Sequence, residues 1–202
     1  DPARLKKAEV ELKTLGDFHA LVVDQGQGDA GPKAAAEAAR LWGALDILVN
    51  NAAFMEYKKD FEEEGPEVLE KTLNINVLGP HRLILALLPL LRKGQDPRIV
   101  NVSSGAGKFS SVQGEAAMPS YRLSKYALNG LTMLHATSLK GQVAVNSLDP
   151  GWLKTDMGGA QAPGHPADVA LREAEDGSRP PRRCAGRRRG EAGRPSRATS
   201  RP

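Results

Sequence analysis

Four short apolar runs constrain this chain more than anything else in it. Residues 18–23, 45–49, 98–103 and 143–148 are rich in Val, Ile and Leu, and small or polar residues follow each one. Asp24 follows the first, Asn50-Asn51-Ala52-Ala53 the second, Ser104-Gly105 the third and Asp149-Pro150-Gly151 the fourth. Between the runs the apolar period changes to that of a helix. A stripe of Leu5, Ala8, Leu12 and Leu15 ends at Gly16, an alanine-rich stretch over 33–42 ends at Gly43, and longer patterns cover 66–92 and 119–139. Pro80 and Pro89 are expected to bend or interrupt the first of these long patterns. Nearly continuous apolar strands separated by helices predict an α/β fold, a doubly wound parallel sheet. In such a sheet a ligand sits outside the carboxyl ends of the strands, where these polar residues lie. Turn residues and helix caps favour the same residue types, so each taken alone has a plain structural explanation.

Composition excludes several other functions. Lys and Arg exceed Asp and Glu by four, but the excess is confined to the end of the chain. Residues 171–202 carry ten arginines, no lysine and four acids, which leaves 1–170 with a net charge of −2. A whole-protein case for nucleic-acid binding therefore fails. A single cysteine, Cys184, leaves no intramolecular disulfide and no multi-cysteine zinc site, and no metal is expected. A reducing cytoplasm is the simplest compartment. No apolar run approaches the roughly 20 residues of a membrane span, and the opening Asp1-Pro2-Ala3-Arg4-Leu5-Lys6-Lys7 lacks the pattern of a secretory signal.

Tyr121 and Lys125 stand four apart in the 119–139 helix, so phenol and ammonium share a face. A cation beside a phenol favours phenolate and draws its pKa down from about 10, which suits a general acid at neutral pH. Taken alone, such a pair is far more often an exposed helical pair of no catalytic consequence.

Taken together, the motifs narrow the choice. Asn-Asn-Ala at 50–52, Asn76 within Ile75-Asn76-Val77, Ser104 after a strand, the Tyr121/Lys125 pair, and Pro150-Gly151 followed by Thr155 arrive in order. This set resembles the short-chain dehydrogenase/reductase family over residues 1–170. The runs 99–105 and 149–159 most resemble its NADPH-dependent carbonyl-reductase branch. The resemblance implies a Rossmann-type sheet and reduction of a small-molecule carbonyl substrate by hydride transfer from NADPH, with NADH the less favoured cofactor. It implies Tyr121 as proton donor, Lys125 holding the nicotinamide ribose and lowering the Tyr121 pKa, and Ser104 polarising the carbonyl. Asn76 would fix a water in a relay ending on Lys125. Asn51 and Ala52 would line the cofactor cleft and Asp24 would approach the adenine end. Thr155, with the Pro150 and Gly151 backbone, would face the nicotinamide. Neither nucleic acid nor a membrane is expected as a partner, and the state is monomer or homodimer.

The sequence also departs from the family pattern. The glycine-rich T-G-x-x-x-G-x-G phosphate loop does not occur, and Gly26, Gly28 and Gly31 lack its spacing. Ala53 stands where Asn-Asn-Ala-Gly has glycine. In the strand order 3-2-1-4-5-6, residues 18–23 would be strand 3 and 45–49 strand 4, which leaves the first two strands absent and strand 3 without a neighbour. The expectation is an incomplete, fragment-like domain over 1–159, with an Arg/Pro/Gly-rich disordered tail over 160–202. Beside disorder, that tail reads next as GC-rich codons translated out of frame, and last as a basic arm contacting nucleic acid or an anionic surface. Two rivals to an enzyme stay open. One is an inactive remnant acting as a dimerisation or scaffold module through 66–92 and 119–139; the other is an anion-binding protein working through the arginines.

Overall fold

The computed structural model describes residues 2–14, 16–58 and 60–167; the expectation of a disordered tail falls almost wholly outside them. In chain order the elements are α1 (Pro2–Leu12), α2 (Ala30–Leu41), β1 (Ile47–Asn50) and α3 (Pro66–Leu73). A π-helical turn, Asn74–Leu78, leads into α4 (Gly79–Leu91), β2 (Arg98–Val102) and a short 3-10 turn, Gly105–Gly107. Then come α5 (Phe109–Gly114), α6 (Pro119–Ser138) and β3 (Ala144–Leu148). The three strands form a parallel sheet in the order β1-β2-β3, with Val49 opposite Val100 and Val100 opposite Asn146. This is the parallel α/β sheet that the apolar runs predict, incomplete and of the Rossmann type that the family resemblance implies.

Residues 18–23 are a correction. They form no strand, and Leu21 and Val22 are exposed. An extended segment becomes a strand only when a neighbour accepts its ladder bonds, and no described strand pairs with it. The expected missing neighbour is thus observed, and with it the loss of the strand itself.

Alternation along β1 and β2 separates two faces. Leu48, Asn50, Ile99 and Asn101 face α4 and α6, while Ile47 and Val49 point the other way and are exposed. The core lies on the first face, where Ile84, Leu87, Leu90 and Leu91 of α4 meet Ile99, Leu139 and Val143. Each such side chain contributes about 1.5–3 kcal/mol through burial. Helix α2 lies close against α4 at Gly31, where a Cβ would stand 2.8 Å from the carbonyl oxygen of Arg82.

A polar ladder runs through the same apolar layer. Asn50 Nδ2 donates to Asn101 Oδ1 (2.8 Å), Asn101 Nδ2 to Thr132 Oγ1 (2.9 Å), and Thr132 Oγ1 to the Leu128 carbonyl (2.7 Å). All three side chains are buried, and Asn50 Oδ1 has no partner.

From Pro66 to Leu91 the chain is continuously helical, long and apolar enough by length and composition to cross a membrane, contrary to the reading of the sequence. Four of its leucines and isoleucines pack against the sheet side instead. The bend expected at Pro80 takes the form of the π turn: Pro80 has no N–H to give Asn76, and Gly79 N bonds back to Asn74 O. Pro89 lies inside α4 without ending it.

The compact unit runs from Asp1 to Gly164. It extends past residue 159 because Lys154 N donates to Gly164 O (2.9 Å) and Gly164 N to Trp152 O (3.2 Å).

Candidate active site

The carboxyl ends of β2 and β3 and the first turns of α6 meet at one place. Pro119 opens α6, a position where its missing N–H costs nothing. Met118 before it has φ 56°, the left-handed region, and its N–H donates to Lys58 O at 2.8 Å. The buried Glu64 carboxylate accepts from both Ser120 N (3.1 Å) and Ser120 Oγ, placing an anion at the helix N-terminus where the helix dipole favours it. Arg122, also buried, ties the loop before α6 to the helix. Its Nε donates to Ala117 O (2.6 Å), Nη1 to Ser111 O (3.4 Å) and Nη2 to Glu115.

Between Ser120 and Arg122 stands Tyr121, whose phenol has the Ser104 hydroxyl beside it. Ser104 caps the 3-10 turn by accepting from Ala106 N (3.2 Å). Lys125 lies one turn along α6, with its Nζ 5.6 Å from the Tyr121 ring centroid. These three residues, predicted from spacing, are brought together.

The electrostatics differ from the expectation. Burial pushes the Tyr121 phenol above its ordinary value and the Asp149 carboxylate adds to the rise, while the Ser104 hydrogen bond works the other way. Lys125 does not draw the phenol down. It is itself buried, which lowers its pKa to about 8, and its Nζ is committed to the Val102 carbonyl at 2.8 Å. Asp149 is the residue that sequence reasoning left without a role. Its position after β3 marked it as an edge residue, but nothing in its neighbours on the chain shows that its charge reaches Tyr121.

Asn76 is buried in the π turn and reaches α6, though not in the manner expected. Its Oδ1 accepts from Phe54 N (2.7 Å) and its Nδ2 donates to Phe54 O (2.8 Å) and Ser124 Oγ (2.9 Å). The side chain is a clamp between the loop after β1 and α6. Its peptide carbonyl is the group that Pro80 leaves without an α-helical donor.

The residues expected at the cofactor cleft spread along the same sheet edge. Asn51 and Ala52 are exposed just after β1, and Gln25 Nε2 reaches Ala52 O at 3.5 Å. Asp24 Oδ1 accepts from Gly26 N (2.9 Å), closing its own turn, and Asn74 Nδ2 ties that turn to the π turn through Gly26 O (2.8 Å). Gly151 has φ 78°, and its N–H donates to Asp149 Oδ1 (3.1 Å). Thr155 Oγ1 accepts from Gly158 N (3.0 Å) and is exposed, beyond Pro150. Asp24 and Thr155 are thus turned into local turns and do not converge on Tyr121. Among the described residues no group of three or more His, Cys, Asp or Glu could hold a metal.

The short chain dehydrogenase family model matches residues 1–165. The chain belongs to the short-chain dehydrogenase family. Among curated relatives, the short-chain dehydrogenase srdF of Neurospora crassa is 37% identical over 142 residues, covering 68% of this chain and 56% of the relative. The human dehydrogenase/reductase SDR family member 4 is 37% identical over 133 residues, covering 65% of this chain and 46% of the relative. This short-chain dehydrogenase therefore spans about half the length of these relatives. Among solved structures, the carbonyl reductase Sniffer of D. melanogaster superposes with a TM-score of 0.78 at 30% identity, covering 84% of this chain and 74% of that one. An NADPH-bound carbonyl reductase from chicken fatty liver gives 0.69 at 29% identity, covering 78% and 66%.

Proposed function

We propose that this short-chain dehydrogenase reduces a carbonyl compound to an alcohol with NADPH, Tyr121 delivering the proton. The observation that carries the reading is Tyr121 and Lys125 together on α6, with the Ser104 hydroxyl at the carboxyl edge of β2 beside the phenol. The cofactor residues fit in part. Lys125 Nζ uses one donor on Val102 O and retains donors suited to ribose hydroxyls, with Asn51, Ala52, Pro150, Gly151 and Thr155 along the edge. The glycine spacing for a pyrophosphate is not in these 202 residues, and no residue is assigned to it.

A bound nicotinamide cofactor supplies the hydride to the carbonyl carbon. Ser104 and Tyr121 hold the carbonyl oxygen by hydrogen bonds and polarise it. As the C–H bond forms, the oxygen takes the Tyr121 proton, so alcohol and oxidised cofactor result. The elevated phenol pKa keeps that proton in place until the oxygen gains charge. Reprotonation would pass by Lys125 and a water held at the Asn76 peptide carbonyl. A cleft lined by Phe61, Val112, Gln113, Pro119 and Leu123 opens beside the first turn of α6 and would admit a largely apolar substrate. NADPH over NADH belongs to the same reading, since one carbonyl-reductase neighbour is bound to NADPH, and so does the cytoplasmic location expected from the sequence.

NADPH titration followed by thermal shift tests the reading, since a ligand that binds only the folded chain raises the melting temperature with its concentration. Saturable stabilisation by NADPH, weaker with NADH, together with carbonyl-dependent oxidation of NADPH lost in Tyr121→Phe, is the expected result. Absence of any shift would overturn it. One observation favours a second reading, a dimerisation module: Leu85 of α4 and Met133 and Leu134 of α6 are exposed. Sedimentation of the chain across a concentration series tests that reading.

A further inference from the structure

One buried acid, in the loop between β1 and α3, has no part in the chemistry proposed above. Glu64 is 5% exposed, and its Oε2 accepts from Ser120 N at 3.1 Å and from the Ser120 hydroxyl. Its Oε1 is buried too and has no hydrogen-bond partner among the described residues. A neutral serine, threonine or asparagine caps a helix without leaving a charged oxygen unpaired in the interior. Capping alone therefore does not account for the acid; what it holds does. Ser120 precedes Tyr121 in the chain, so fixing its peptide and its hydroxyl fixes one end of Tyr121. The loop is itself set in place: Asp60 Oδ1 accepts from Glu62 N (2.9 Å) and Glu63 N (3.1 Å), and Lys58 O from Met118 N (2.8 Å). Past Tyr121, Ser124 Oγ donates to the Tyr121 carbonyl (2.7 Å) and accepts from Asn76 Nδ2 (2.9 Å). Ser120 and Ser124 stand four apart on one face of α6, and both are almost fully buried. The helix is thus held on either side of Tyr121, by Glu64 before it and Asn76 after it.

We infer that Glu64 is a positioning residue: by holding Ser120 it sets the rotation of the first turn of α6, and so the direction in which Tyr121 presents its hydroxyl. Successive helix residues are about 100° apart, so the buried Ser120–Ser124 face fixes the angle at which the phenol leaves the helix. Without the carboxylate the first turn keeps its sequence but loses the anchor that orients it. The bearing on turnover rests on the reading of Tyr121 as proton donor, whereas the hold on the phenol does not.

The test compares Glu64→Ala, which removes the acceptor, with Glu64→Gln, which removes the charge and keeps an acceptor for Ser120. NADPH oxidation with the best of a panel of aldehydes and ketones gives kcat and the KM for NADPH. Ultraviolet titration of tyrosinate gives the Tyr121 midpoint; the chain has three tyrosines, so the Tyr121→Phe curve in the same background is subtracted. Glu64→Ala is expected to lower kcat on the order of 10²-fold, the cost of a small misplacement, with the KM for NADPH little changed. Its Tyr121 midpoint is expected to fall toward about 10, that of a solvated phenol. Glu64→Gln is expected to recover most of both. A Glu64→Ala chain with wild-type kcat and midpoint overturns the inference. So does a loss of kcat matched by a rise in KM, which is general loosening, and so does a Glu64→Gln chain as impaired as Glu64→Ala. Should Glu64→Ala fail to fold by circular dichroism, Ser120→Ala, which loses only the hydroxyl bond, decides: a lower midpoint supports the inference and an unchanged one overturns it. If the wild type oxidises no NADPH with any of the panel, the proposed function fails, and the Tyr121 midpoints alone decide whether Glu64 holds the phenol.

Discussion

Lys125 Nζ donates to the carbonyl of Val102 at 2.8 Å, so the buried ammonium is anchored to the end of β2 as well as lying beside Tyr121. Burial lowers its pKa to about 8 from an ordinary 10.5. The unfolded chain therefore binds more protons between these values, and stability rises with pH across that window. Relative to Lys125→Met, the wild type is expected to gain stability from about pH 8 to 10.5, by at most roughly 3 kcal/mol. Urea unfolding of both chains across that range checks the slope.

Ser104 stands beside the phenol and caps the 3-10 turn, so its two duties can be separated. Ser104→Ala is expected to lower kcat about 10²–10³-fold, the usual loss for one oxyanion donor, while NADPH affinity changes little. Steady-state kinetics beside the thermal-shift titration measure both.

The Asn50–Asn101–Thr132 ladder is buried, so removing its middle strands its ends. Asn101→Leu is expected to destabilise the fold by about 2–5 kcal/mol, because unpaired buried polar groups cost about 1–3 kcal/mol each. Adding Asn50→Val is expected to recover part of that loss. Denaturant midpoints of the single and double variants decide it.

His81 Nδ1 and His135 Nε2 lie 3.0 Å apart between α4 and α6. Burial, and then the charge of His81, lowers the His135 pKa from 6.5. The unfolded chain takes up that proton first, so stability is expected to fall as pH drops below about 6.5 and through the folded value. Melting temperatures between about pH 5 and 7 should fall less steeply for His135→Gln.

The sheet was legible wherever burial alone decides structure. Leu48, Ile99 and Val145 are apolar because helices cover them, and their runs became β1, β2 and β3. Residues 18–23 carry the same apolar signature, but a strand needs a partner, and apolarity does not report whether one is present. The Tyr121–Ser104–Lys125 cluster was reached through the family resemblance of the whole motif set, since helix spacing and the sheet edge put the three residues in range but did not single them out. Lys125's influence on the phenol was not, because spacing says nothing about the Val102 carbonyl that competes for the ammonium. Asn76 was found as a site residue, but its side-chain contacts were not foreseen: Phe54, which absorbs its amide, lies in an irregular loop that no period predicts. The π turn had one trace in the sequence, Pro80.

Arg122 joins positions 111, 115 and 117 to the residue next to Tyr121 through one guanidinium. For anyone grafting a new specificity loop onto this scaffold, that makes the loop's length and path part of the specification. A replacement must return two peptide oxygens and an acid to the same three places. A loop that fits the substrate but misses those places would leave a buried cation unpaired beside the proton donor. Selection for a new substrate should therefore be run with Arg122 and its partners held fixed, or with Arg122 varied together with the loop.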